Sequence, residues 1–371
     1  MTLKNLKMII ALAVLMVTAS ACSISTSSSG GSGGVDSSLF LSIDAGNTWR
    51  SVASVPTTNG RIQSIADVNV KSMTMDPQDS LAVYLATYDR GLYYTYKVTD
   101  GWVAVSGLPT TTINDVKVDP KSKCTIYAAL ANRLYRSADC ARTWTQVYYD
   151  NNAGVSVNAI AIDHYNPANI YIGTSRGEII KSIDSGAAWR TIQRLDKGVS
   201  RLLISPLDSR LVFVATDDNK IFSFTSNTDT NAADSGDIGQ NFVVDDWTDL
   251  NAVLKDFDLG TSFKDIVISA KDGSIFIATE KLILRSPDNG ITWENIKLLQ
   301  PEKDAAIAAI AIDPQDSNKI YYVTNTTFFK SVDGGATWTT KNNPTSRAGR
   351  ELLIDFNNTN NIYLGTVKLK N

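Results

Sequence analysis

The chain has 371 residues, 43% of them hydrophobic, with 35 basic and 38 acidic side chains and a net charge of −3. No basic stripe and no polybasic run occurs, which excludes nucleic acid and anionic lipid surfaces as general partners. Length alone divides into two or three domains, although large all-β folds run this long as one.

In chain order the first element is a leader. Lys4 and Lys7 precede an apolar run over residues 8–21, too short to span a bilayer comfortably, which reads as a signal peptide over residues 1–21. Residues 23–38 are almost entirely Ser, Gly and Thr, a composition too poor in apolar surface to fold and suited to a flexible tether. Between them, Ala19-Ser20-Ala21-Cys22 resembles the lipobox of bacterial lipoproteins, with Ala19 where that motif usually carries Leu. The resemblance implies acylation of Cys22 and an extracytoplasmic protein anchored in the bacterial cell envelope. Plain cleavage after Ala21, leaving a free Cys22, is the alternative.

From residue 39 to 371 the chain repeats. Its seven tryptophans are Trp49, Trp102, Trp144, Trp189, Trp247, Trp293 and Trp338, most of them about 45 residues apart, a period typical of propeller blades. Three of them close the pattern S-x-D-x-G-x-T-W, carried by Ser42, Asp44, Gly46 and Trp49, by Ser286, Asp288, Gly290 and Trp293, and by Ser331, Asp333, Gly335 and Trp338. Two copies are worn: Asp184, Gly186 and Trp189 keep the pattern with Ala188 for Thr, and Asp139 and Trp144 keep it with Ala141 for Gly. Two more retain only Asp100-Gly101-Trp102 and Asp245-Asp246-Trp247. Within such a turn the carboxylate accepts backbone N–H groups and Gly supplies a positive φ, so these aspartates read as structural and not catalytic. The motif resembles the Asp box, or BNR repeat, of sialidases, sortilin-type receptors, xyloglucanases and photosystem II assembly factors.

Ahead of the boxes lie paired β-branched runs, at 113–120 with 125–130 and at 157–163 with 170–174, with related runs starting at 70, 199, 263 and 307. A last pair, 351–355 and 361–366, has no box after it, while the first box, preceded by Leu39-Phe40-Leu41, has no pair before it. Joined, the two halves complete one blade and hide both sheet edges. The expected fold is all-β: a single seven-bladed propeller of four-stranded antiparallel blades, sealed by pairing N-terminal with C-terminal strands. The stretch 225–240, rich in Asn, Thr, Asp and Ser, reads as an insertion in the fifth blade.

Candidate functional residues fall on the face that carries the connections between the second and third strands. Its loops hold Arg90, Arg133, Arg176, Lys220 and Lys281, often beside an acid such as Asp89, Glu178, Asp217 or Glu280. At the starts of the inner strands stand Lys71, Asn114, Asp115, Asn158, Arg201, Lys264, Asp265, Arg350 and Glu351. Charges there mean either ordinary solvation of loop ends or a polar, mixed-charge docking face. Cys124 and Cys140 fall on one face of one sheet, so either a disulfide or two free thiols fits, with export favouring the disulfide. The one histidine, His164, sits in a turn beside Pro167, so neither a metal site nor a cofactor is expected.

The resemblance to sialidases implies an Arg-Ile-Pro segment near the start, and here Arg61-Ile62-Gln63 lacks the Pro. Xyloglucanase-type enzymes use two carboxylates across a cleft between two propellers, and this chain supplies one propeller. A pair drawn from Asp115, Asp265 and Glu351 leaves glycoside hydrolysis open as the alternative. The resemblance to photosystem II assembly factors and sortilin-type propellers implies instead a non-catalytic, monomeric scaffold that binds a protein or glycan on its loop face.

Overall fold

The computed structural model describes residues 36–226, 246–300 and 306–369. The leader, Cys22 and most of the stretch 225–240 lie outside them. Among the described residues no helix is long and apolar enough to cross a membrane.

Seven four-stranded antiparallel sheets are arranged as a β-propeller. Blade 1 is the composite one: its order from the centre outward is Ala348–Ile354, Ile362–Val367, Leu39–Ser42 and Arg50–Ser51. Leu39 pairs with Gly365 and Ser42 with Ile362, so the expected pairing of N-terminal with C-terminal strands is present. Blades 2 to 7 follow in chain order, with innermost strands Val70–Asp76, Asp115–Asp119, Val157–Ile162, Val199–Ile204, Phe263–Ile268 and Ala309–Asp313. Each innermost strand touches the next around the ring, and Ala309–Asp313 touches Ala348–Ile354 to close it.

Burial follows from position within a blade. Second strands such as Ile170–Thr174 and Ile275–Thr279 are buried at every residue. A sheet covered on both faces needs apolar side chains on both, which is why these segments lack polar alternation. Outermost strands such as Thr339–Asn342 are exposed throughout and are written in polar residues. The core is divided among the seams: one apolar cluster joins Tyr363 and Leu41 of blade 1 to Val70 and Leu85 of blade 2, and a comparable cluster fills each later seam.

The repeated turns are built as their residues demand. In the first, Thr48 N–H donates to Asp44 Oδ1 at 2.8 Å, the Thr48 hydroxyl to Asp44 Oδ2 at 2.7 Å, and Gly46 N–H to Ser42 Oγ at 2.8 Å. Those bonds, the Thr hydroxyl foremost, hold the Asp44 carboxyl at about 2. Where Ala188 replaces Thr, Asp184 keeps only the backbone donor of that pair, at 2.9 Å. Where Ala141 replaces Gly, the backbone still adopts φ 64°, so the turn survives at the strain a Cβ imposes there.

The indoles join blades. Trp102 Nε1 donates to Val52 O at 2.7 Å, Trp189 to Val147 O at 2.8 Å and Trp338 to Lys297 O at 2.8 Å, each time reaching the outer edge of the preceding blade. Trp102 alone among the seven is fully buried; the other rings are partly accessible. Its worn repeat is replaced by a short 3-10 turn, Val98–Asp100, and Gly101 at φ 96° lies where a Cβ would collide with the Pro56 ring.

Two features are absent from the sequence reading. A hairpin of Ser54–Pro56 with Ile62–Ser64 occupies the long connection between blades 1 and 2. The packed ring also takes in Ser37 and Ser38, which composition places in the tether: both are fully buried, and Ser38 O accepts Thr366 N–H at 2.8 Å. Short polar side chains fit there because backbone pairing, not apolar area, holds them.

Candidate functional site

The innermost strands enclose a cavity of about 320 Å³ at the centre of the ring. Lys71, Lys117, Arg201, Arg350, Asp115, Asp265 and Glu351 all line it. Six of these seven are sequence candidates, and the structure brings them together.

A local irregularity explains how charges enter so apolar a wall. In blades 1, 2, 4, 5 and 6 the pairing of the innermost strand slips by one residue at its start, and the extra residues are Arg350, Lys71, Asn158, Ser200 and Lys264. A bulge of this kind re-aims a side chain, so that Arg350 and its neighbour Glu351 both line the cavity despite being consecutive.

Several of these groups stitch blades together. Asp115 Oδ2 accepts Ile160 N–H from the next blade at 2.9 Å, while its Oδ1 accepts Val116 N–H at 2.9 Å and Lys117 Nζ at 3.1 Å. Asn114 and Asn158 donate to Val157 O and Val199 O, again one blade on, at 2.9 and 3.2 Å. Arg201 Nε donates to Asp265 Oδ1 at 3.0 Å across the seam of blades 5 and 6. Although 31% of the Arg201 side chain stays open to the channel, Asp265 and then Glu351 and Asp115 hold its proton more firmly than usual.

Lys71, Arg350 and Glu351 remain. None of the three side chains makes a hydrogen bond or ion pair among the described residues. Lys71 Nζ and the Arg350 guanidinium carbon lie 5.0 and 5.9 Å from the centroid of one ring, Tyr88. Arg350 Nε is buried with no partner. Burial, with Arg350 and Arg201 nearby, pushes the Lys71 ammonium below its usual range. Burial, followed by the Asp265 charge, raises the Glu351 carboxyl to about 7, against the opposing pull of Arg201, Arg350 and Lys117.

The other candidates stand apart. Lys264 does not line the cavity; its ammonium donates to Ser262 Oγ at 2.7 Å, and burial lowers its pKa. Arg90 pairs with Asp67 at 3.1 Å and not with the adjacent Asp89. Arg133 lies 5.3 Å from the centre of the Tyr149 ring. Arg176 bridges Asp150 at 3.1 Å and Glu178 at 2.5 Å, and Arg194 adds a second cation to Glu178. Lys281 binds Asp258 at 2.7 Å while Glu280 accepts Thr261 and Ser262 N–H groups at 2.7 and 2.6 Å. Arg90 and Lys281 thus take their partners from the long connections, whereas Arg176 and Lys220 pair with acids two residues away, Lys220 with Asp218 at 3.6 Å. A depression of about 400 Å³ on the opposite face, beside His164, holds Asp208 and Arg210, which neutralise each other at 2.8 Å.

Cys124 and Cys140 are joined by a disulfide within blade 3. Among the described residues no cluster of His, Cys, Asp or Glu is arranged to hold a metal ion. Tyr88 and Lys117 are the site residues that the sequence does not single out, since an aromatic in a loop and an alternating Lys in a strand carry no signal by themselves.

A seven-bladed propeller with a charged central cavity is thus the class that fold and site define. The sequence matches no protein-family profile and no curated protein. In structure the chain is similar to a glycoside hydrolase family 74 (GH74) enzyme of Niastella koreensis (TM-score 0.61, 16% identity, covering 81% of this chain and 51% of that one). It is likewise similar to the GH74 xyloglucanase of Xanthomonas campestris (TM-score 0.62, 15% identity, 86% and 52% covered). A third similar structure is YCF48 bound to D1 peptide (TM-score 0.57, 14% identity, 81% and 94% covered). The chain spans about half the length of the two hydrolases. At these identities the likeness is one of fold.

Proposed function

We propose that this chain is an extracytoplasmic, membrane-tethered propeller that binds a polypeptide partner at the mouth of its central channel and performs no catalysis. The observation that carries the reading is the division of labour among the channel charges. Asp115 and Asp265 are committed to backbone and cation partners that hold the blades together, whereas Lys71 and Arg350 lie against Tyr88 with no ion pair or side-chain hydrogen bond among the described residues. A polar site with unspent cations is organised to receive a ligand. YCF48, which resembles this chain over nearly its own full length, has been captured with a peptide, and that supports a polypeptide as the ligand class. The leader-like residues 1–21 and the lipobox-like Cys22 support the tethered, exported setting.

Glycoside hydrolysis is the second reading, favoured by the Glu351 carboxyl raised to about 7, a range suited to a general acid. It also needs a second carboxylate free to act as base or nucleophile, and both nearby ones are occupied. A photo-crosslinking residue placed at Tyr88 in the full-length chain, expressed in its own cells, separates the two. A discrete polypeptide adduct, absent when the crosslinker sits at Val332 on the opposite face, is the expected result. Turnover of a polysaccharide that disappears in Glu351→Gln would instead establish the hydrolase.

A further inference from the structure

Among the cations that line the channel, two are matched by a carboxylate: Lys117 with Asp115 at 3.1 Å and Arg201 with Asp265 at 3.0 Å. Lys71 and Arg350 are not, and both lie against one aromatic ring, Tyr88. A single ring offers a cation less than the desolvation of two charges costs. Both side chains are delivered by bulges in adjacent blades, one extra residue in each innermost strand. That device costs ladder hydrogen bonds and recurs at sites where a side chain must be aimed. Two such cations suit an anion with at least two oxygens, which takes the guanidinium on one side and the ammonium on the other.

We propose that Arg350 and Lys71, lying over Tyr88, form a receptor for one carboxylate group of the peptide partner. The inference rests on the polypeptide-binding reading above and assigns the chemistry by which the partner is held. Charge selects the class of anion. Four cations, Lys71, Lys117, Arg201 and Arg350, share the cavity with Glu351, Asp115 and Asp265, so with all three carboxylates ionised one positive charge is left for a monoanion, which a phosphate dianion would exceed. The carboxylate comes either from an acidic side chain or from a chain terminus, and the two sources present the same two oxygens.

The test is titration of the full-length protein, labelled with ¹⁵N-arginine, followed by NMR at the Arg350 Nε–H resonance, which Arg350→Gln identifies by its loss. The probes are N-acetylglycine for a terminal carboxylate, N-acetylaspartate N-methylamide for a side-chain carboxylate, inorganic phosphate, and galacturonate. One of the two peptide carboxylates should shift the resonance saturably and bind more tightly than phosphate. Lys71→Gln should weaken that binding on the order of tenfold or more, the worth of one charge-assisted hydrogen bond. Unchanged thermal melting of Lys71→Gln shows that the fold is intact, and Lys71→Arg, which keeps the charge, should restore most of the affinity. No saturable shift, or a shift indifferent to Lys71→Gln in a folded variant, overturns the proposal. Should the Tyr88 adduct form while the carboxylates fail to bind, the polypeptide reading stands and the receptor does not. Tighter binding of galacturonate than of either peptide carboxylate refutes both in favour of an acidic glycan.

Discussion

Trp102→Ala should open the seam between blades 1 and 2. The indole is 0% accessible and belongs to the cluster of Leu41, Val52, Ala53, Val70 and Val98 that joins the composite blade to its neighbour. Removing a buried Trp costs about 3–5 kcal/mol through lost transfer energy and the cavity left behind. The Val52 carbonyl also loses its donor at 2.7 Å, which adds about 1 kcal/mol. With an unfolding entropy of roughly 2.1 cal/mol/K per residue over roughly 300 residues, a loss of about 5 kcal/mol lowers Tm by about 8 °C. Trp144→Ala supplies the contrast, because that ring is partly accessible and its Nε1 is buried without a partner, so its loss also removes an unsatisfied polar atom. Its Tm should fall by less than half as much. Scanning calorimetry of both variants measures the difference. Equal shifts, or a change under about 2 °C for Trp102→Ala, would refute the reasoning that full burial and the inter-blade bond set the cost.

Further outcomes follow from other groups. The folded-state pKa of Glu351, about 7, lies above the usual 4.5, so the unfolded chain gives up this proton first and the contribution of Glu351 to stability falls as pH rises from 4.5 through 7. Glu351→Gln should therefore gain Tm on the parent at pH 8 and lose that advantage at pH 4; with Asp265, Arg201, Arg350 and Lys117 facing the group, no pH dependence of the difference would contradict the buried-carboxyl picture. Arg347, almost wholly buried, donates to Thr366 Oγ1 at 2.9 Å, to Asn69 Oδ1 at 3.2 Å and to Val68 O, and faces Asp36 at 3.7 Å. Arg347→Ala should cost about 3–5 kcal/mol by breaking a buried network, and hydrogen exchange should rise first over residues 36–42 and 362–367. Reduction of the Cys124–Cys140 disulfide, which spans 16 residues, should cost about 3 kcal/mol by loop entropy, read as a drop in the urea midpoint with dithiothreitol.

The blades were legible because each is announced by a turn whose residues have one workable geometry. Ser42, Asp44, Gly46 and Thr48 satisfy one another locally, so the pattern survives in sequence wherever the turn survives in space. The composite blade was legible for a different reason: a strand pair without a turn and a turn without a strand pair leave one way to hide two edges. What sequence hides is register by single residues and pairing across blades. The bulges at Lys71 and Arg350 show in the sequence only as two polar residues in a row, Lys71-Ser72 and Arg350-Glu351, and they decide which charges face the channel. Tyr88 matters through two cations from different blades, and Arg347 through residues far away in the chain. Proximity in sequence misleads in the same way at Arg90, which ignores Asp89 for Asp67.

The composite blade also orders events in time. Thr366 bonds Ser37 across 329 positions, so among the described strands of the ring Leu39–Ser42 is made first and waits for Ile362–Val367, the last of them. Until then an apolar edge stands open to any passing chain, the state in which β-rich proteins associate wrongly. Closure of this ring is thereby tied to the arrival of its last strand, and the seam between Leu39–Ser42 and Ile362–Val367 is where an unfinished ring stays open.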